Sequence, residues 1–196
     1  MTAIAVTGRR IVLADLVPGT WVRDIALVTA GAGLTGLAAQ VAVHVPGSPV
    51  PITGQTFAAL LVGVGLGWQR GSASMLLYLV AGLAGVPWLA GGSSGWAASS
   101  GYVIGFIFAA ALVGALARRG GDRTPLRTAA TMALGNIVIY TFGVPVLMAA
   151  TGFGLSTALA KGVLPFLAGD ALKIVLAAAL LPGTWSLVRL VRRQAR

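Results

Sequence analysis

The chain has 196 residues, of which 57% are hydrophobic and 9% charged, against about 25% charged in soluble domains. Fourteen Lys and Arg against four acids give a formal net charge of +10, and Cys is absent. So few charged side chains could not cover a soluble surface, so many apolar ones exclude disorder, and no disulfide or thiolate chemistry is available.

What remains is an all-α membrane protein. A helix needs about 20 apolar residues to cross the hydrocarbon core, and the chain offers six such stretches. They are predicted at about 25–43, 50–68, 71–90, 101–117, 128–149 and 169–190. Their continuous apolar character argues against the alternating strands of a β-barrel. With short links they consume the length, which predicts one integral membrane domain over 1–196. A cleaved leader is the weaker reading of the first stretch, because it is longer than the 7–15 residues usual for a signal core.

Arginine placement predicts orientation. Arg9, Arg10 and Arg23 precede the first stretch. Arg70 lies between the second and third, and Arg118, Arg119, Arg123 and Arg127 between the fourth and fifth. Arg189, Arg192, Arg193 and Arg196 close the chain. All twelve fall on one side of the predicted topology, so both termini are expected in the cytoplasm of a prokaryote, with the protein in its plasma membrane. The net charge then reflects topology rather than nucleic-acid binding. Small residues four apart, Ala26/Ala30, Ala38/Ala42, Gly63/Gly67 and Gly101/Gly105, permit close helix approach in lipid. The two pairs on the first stretch make it the best candidate to meet a partner protein.

The lysines stand apart, on the outer side. Lys173 follows Asp170 by three residues in GDALK, and residues i and i+3 share a helix face. Ionisable groups at membrane depth mark functional sites by default. Asp170 could instead be a helix N-cap, but a cation in a first helical turn opposes the dipole and needs an anion, from Asp170 or from a ligand. Thr53 and Gln55 in VPITGQTF, the Gly/Ser-rich link 89–100 with Trp88 and Tyr102 beside it, and Tyr140 complete the outer candidates. That link reads as a mobile loop or as a lid with Gly hinges. Asn136, one turn deeper than Tyr140, reads equally as packing. Enzyme readings are poorer. Gly92-Ser93-Ser94-Gly95 has the look of a membrane serine hydrolase, yet a Ser nucleophile needs a base and His44 is the sole histidine. No P-loop, paired-His metal motif or pore charge ring is visible.

The string VPITGQTFAALLVGVGLGWQRGSASMLLYLVAGLAGVPWLAGG, followed by GYVIGF and later GVLPFLAGDALK, resembles the BioY family. These are biotin-specific substrate-binding (S) components of energy-coupling factor (ECF) transporters. The resemblance, over about 50–173, implies a six-helix S-component fold that binds biotin from outside. It implies a membrane coupling (T) subunit and two ATPases as partners, which use the ATP, and no cofactor in this chain. It also implies that Gln55 faces the ligand, that Gly91, Gly92 and Tyr102 close over it, and that Asp170 and Lys173 hold its polar groups. Trp88 or Tyr140 is expected to cover the ring. Partner docking is expected at Ala26/Ala30 or at Ala38/Ala42. Other readings are an S component or stand-alone permease for another small vitamin, and the serine hydrolase.

Overall fold

The computed structural model describes residues 11–194. Arg9, Arg10 and Arg196 therefore lie outside the described residues. A 3-10 turn, Leu13–Leu16, precedes α1 (Trp21–Ala39). A hairpin of two-residue strands follows, β1 (Ala42–Val43) antiparallel to β2 (Ile52–Thr53), with Ala42 opposite Thr53. Then come α2 (Gln55–Leu66), α3 (Trp68–Leu83), a 3-10 turn at Ala90–Gly92, α4 (Ser100–Ala117), α5 (Pro125–Thr151), α6 (Leu155–Gly162) and α7 (Leu164–Gln194).

Among the described residues four helices are long and apolar enough to cross a membrane: Trp21–Ala39, Ser100–Ala117, Pro125–Thr151 and Leu164–Val191. The helices within the other two predicted stretches, α2 and α3, are shorter, with 12 and 16 residues. Local chemistry explains the shifted ends. The predicted 50–68 stretch loses its start to the hairpin, which takes Ile52 and Thr53. It stops at Gly67, whose φ of +83° breaks α2 and turns directly into α3. α3 ends at Leu83, before Gly85 and Pro87, rather than near residue 90. α5 opens on Thr124, whose hydroxyl accepts from Arg127 N at 3.4 Å, with Pro125 at its first position, where a missing N–H costs nothing. α7 begins at Leu164, earlier than the predicted 169. Asp170 is consequently inside the helix and is not its N-cap, so the N-cap and first-turn readings of the GDALK pair fall away.

α4 runs through the middle of the bundle, packed against α2, α3 and α5, with Phe106, Ala109, Ala110 and Val113 wholly buried. Glycine permits these approaches. A Cβ on Gly63 would lie 2.7 Å from the Ala110 Cα, and one on Gly105 2.9 Å from the Ile139 Cα. The Gly101/Gly105 pair thus packs α4 on α5. α1 and α7 lie outermost and expose rows of large apolar side chains, among them Leu34, Leu37, Leu172, Val175 and Leu180. Ala26 and Ala30 are exposed on α1. Ala42 is in β1, beyond the end of α1, so Ala38 and Ala42 do not form a pair on one helix.

Acids and arginines interlock at one end. Arg70 bridges Asp15 and Asp24, each at 3.0 Å, and Arg23 meets Asp24 at 2.7 Å. Buried Asp122 accepts from Trp185 Nε1 at 2.5 Å and from Arg123 Nε at 3.2 Å, while the Arg123 guanidinium stacks on the Trp185 ring. Strong hydrogen-bonded pairing is what allows a carboxylate to be this buried.

Candidate functional site

At the opposite end, a cavity opens among the starts of α2, α4 and α7 and the middle of α5. Its space, counted with its mouth, is about 470 Å³. The hairpin delivers Val50, Pro51 and Thr53, α2 contributes Gln55 and Thr56, and α4 contributes Tyr102 and Phe106. α5 presents Asn136, Ile139 and Tyr140, spaced to share a face, and α7 brings Phe166, Asp170 and Lys173, successive turns of one helical face.

Polar groups converge on one side. Lys173 Nζ donates to Thr53 O at 2.9 Å and Thr56 Oγ1 at 2.6 Å, and lies 3.4 Å from Asp170 Oδ1. Tyr140 Oη donates to Asp170 Oδ2. Lys173 therefore ties α7 to the hairpin and to α2, and Asp170 ties α7 to α5. Asp170 is 5% exposed, so its carboxylate depends on these donors. The other wall is aromatic. Tyr102 meets Tyr140 and Phe166 edge-on, each with ring centroids 6.4 Å apart. Its hydroxyl donates to Gly162 O at 2.8 Å, and Gly143 leaves the space its ring occupies. A site with one ammonium, one carboxylate, two amides and apolar rings suits a small, partly apolar ligand carrying both acceptors and donors.

The structure thus brings together Gln55, Tyr102, Tyr140, Asp170 and Lys173. Trp88, Gly91 and Gly92 do not line the cavity. The Trp88 indole turns away because its Nε1 donates to Tyr78 O at 3.0 Å and its ring packs against Gly36 of α1. Gly91 and Gly92 are exposed, with φ of +64° and +79°. Thr56 and Phe166 are cavity residues that sequence reasoning missed. Both lie inside the quoted motif strings, one residue after Gln55 and one turn before Asp170, where helical spacing could have found them. Ser93 Oγ donates to Ala90 O at 2.8 Å. No imidazole or carboxylate hydrogen-bonds to Ser93 or Ser94 among the described residues, so the hydrolase reading lacks its base.

A model described as the BioY family matches residues 8–190. The chain belongs to the BioY family. It is 36% identical over 143 residues to a biotin transporter BioY of Rhizobium etli, covering 67% of this chain and 76% of that relative. It is 34% identical over 151 residues to a probable biotin transporter BioY of Pyrococcus horikoshii, covering 77% and 89%. The fold is similar to a crystal structure of the S-component for biotin from an ECF-type ABC transporter. The TM-score is 0.72 at 23% identity, with 86% of this chain and 95% of that one covered. In this BioY-family member the strings that carry the sequence resemblance supply the cavity residues of the hairpin, α2, α4 and α7, while Asn136, Ile139 and Tyr140 of α5 lie outside them.

Proposed function

We propose that this chain captures biotin from outside the cell and delivers it inward as the substrate-specificity subunit of an ECF-type transporter. The observation that carries the reading is the Asp170, Lys173 and Tyr140 cluster in the wall of the cavity. Biotin presents a ureido group with two N–H donors and a carbonyl, a carboxylate, and an apolar sulfur-containing ring. A carboxylate accepts ureido N–H groups, and an ammonium pairs with a carboxylate or carbonyl oxygen. Tyr102, Tyr140 and Phe166 supply apolar faces for the ring.

The chain is one membrane domain crossing six times, with α2 and α3 as the two shorter crossings. Its arginine-rich end is cytoplasmic, by the bias of Arg and Lys toward that side, and the cavity is external. It carries out no covalent chemistry and needs no cofactor. Inward release is driven by ATP hydrolysis in two partner ATPases, relayed through a T subunit. That subunit docks on α1 at Ala26 and Ala30, exposed small residues beside a groove between α1 and α2 lined by Leu27, Gly31, Val62 and Gly65. A thermal-shift screen of the purified chain against biotin, thiamin, riboflavin and niacin tests the reading. Stabilisation by biotin alone supports it, and stabilisation by another vitamin instead of biotin overturns it.

A further inference from the structure

Gln55 is the first residue of α2 and is 5% exposed, yet half of its amide is unused. Its Oε1 accepts from Tyr78 Oη at 2.7 Å. Among the described residues nothing accepts from its Nε2, although Gln55 lines the cavity. Tyr78 is wholly buried on α3 and is not a lining residue.

Which end of the amide faces inward follows from the length of its contact with Tyr78. A phenol has one proton and Tyr78 Oη has two neighbours, Gln55 at 2.7 Å and Trp88 O at 3.1 Å. A separation of 2.7 Å is usual for O–H···O and short for N–H···O, so the Gln55 atom facing Tyr78 is the carbonyl oxygen. Trp88 O does not depend on that proton, because Gln40 Nε2 reaches it at 3.4 Å from the end of α1. The Tyr78 proton is therefore free for Gln55, and the Trp88 ring, its centroid 5.4 Å away, packs against the Tyr78 ring. The amide is held with its N–H donors toward the cavity.

We infer that Tyr78 is a positioning residue that locks the Gln55 amide, so that the site demands an acceptor oxygen at that point of its ligand. Without Tyr78 the amide can turn over and offer either face, and the demand relaxes. The inference rests on the biotin reading above and sharpens it, since biotin carries an acceptor oxygen at each end, the ureido carbonyl and the carboxylate. Two analogues separate the ends. 2-Iminobiotin, protonated at neutral pH, has a donor-only cationic group in place of the ureido carbonyl oxygen, and norbiotinamine has a donor-only ammonium in place of the carboxylate.

The test is titration of biotin, 2-iminobiotin and norbiotinamine into the purified chain and its Tyr78→Phe variant. The wild type is expected to disfavour the analogue altered at the Gln55 end by about a hundredfold, the scale set by leaving a buried donor unsatisfied. In Tyr78→Phe that preference shrinks about tenfold, while the ratio for the other analogue is unchanged. Equal weakening of all three ligands, with both ratios as in the wild type, overturns the inference, because a merely structural tyrosine would act that way. If Tyr78→Phe does not fold, Gln55→Glu tests the consequence of the lock, that Nε2 donates to the ligand. It removes the donor, so it should lower affinity for biotin more than for the analogue bearing a donor at that end, and unchanged ratios overturn the inference. A wild type that does not bind biotin instead overturns the function proposed above.

Discussion

Lys173→Met removes the ammonium while keeping an apolar stem of similar length. Three interactions disappear: the bonds to Thr53 O at 2.9 Å and Thr56 Oγ1 at 2.6 Å, and the ion pair with Asp170 at 3.4 Å. Hydrogen bonds involving a charged group contribute about 1.5–3 kcal/mol each, but removing the charge also removes its desolvation cost. The side chains of the pair are 18% and 8% exposed, which places it between surface pairs at about 0–1 kcal/mol and fully buried ones, whose rupture costs about 3–5 kcal/mol. The expected destabilisation is about 2 kcal/mol. Equilibrium unfolding in mixed micelles measures it. A cycle with Asp170→Asn isolates the pair, with an expected coupling of about 1 kcal/mol. Wild-type stability of Lys173→Met, together with additivity in the double variant, would refute the view that this lysine fastens α7 to the hairpin and α2.

Trp185→Phe deprives buried Asp122 of its 2.5 Å donor and should cost about 1–3 kcal/mol in the same assay, whereas Trp21→Phe, at a side chain 71% exposed, should be near neutral. Gly63→Ala forces a Cβ to within 2.7 Å of the Ala110 Cα and should destabilise by about 1–3 kcal/mol. Gly65→Ala meets open space and should be neutral or stabilising by up to about 1 kcal/mol. With no native Cys in the chain, single Ser94→Cys and Arg119→Cys variants report orientation in intact cells. A membrane-impermeant thiol reagent should label the first from outside and the second only after the membrane is opened; the reverse pattern would invert the proposed topology.

The sequence made the bundle legible because long apolar runs admit few alternatives, and α4 and α5 lie within a few residues of where the runs predict them. The ends of α2 and α3 were less so. A backbone turn at Gly67 and a hairpin of two-residue strands depend on φ/ψ and strand pairing that hydropathy does not register. Asp170 and Lys173 were readable from scarcity and i, i+3 spacing alone. The wrong detail was the helix start, since GVLPF continues back to Leu164 and moves Asp170 away from any cap. Tyr140 was visible as an outer-half tyrosine. Trp88 was not, because aromatic position along a chain says nothing of where an indole N–H finds its acceptor, here Tyr78 O. The role of Tyr78 depends on a contact between residues 23 apart on two helices joined by a one-residue turn, which no local pattern reveals.

The central claim is that Asp170 and Lys173 hold biotin. Calorimetric titration of biotin into the purified wild type, Asp170→Asn and Lys173→Met tests it most directly. Saturable one-site binding by the wild type, weakened at least tenfold in each variant, about 1.4 kcal/mol, is the predicted result. Wild-type affinity in both variants would contradict the site, and no biotin binding by the wild type would contradict the function.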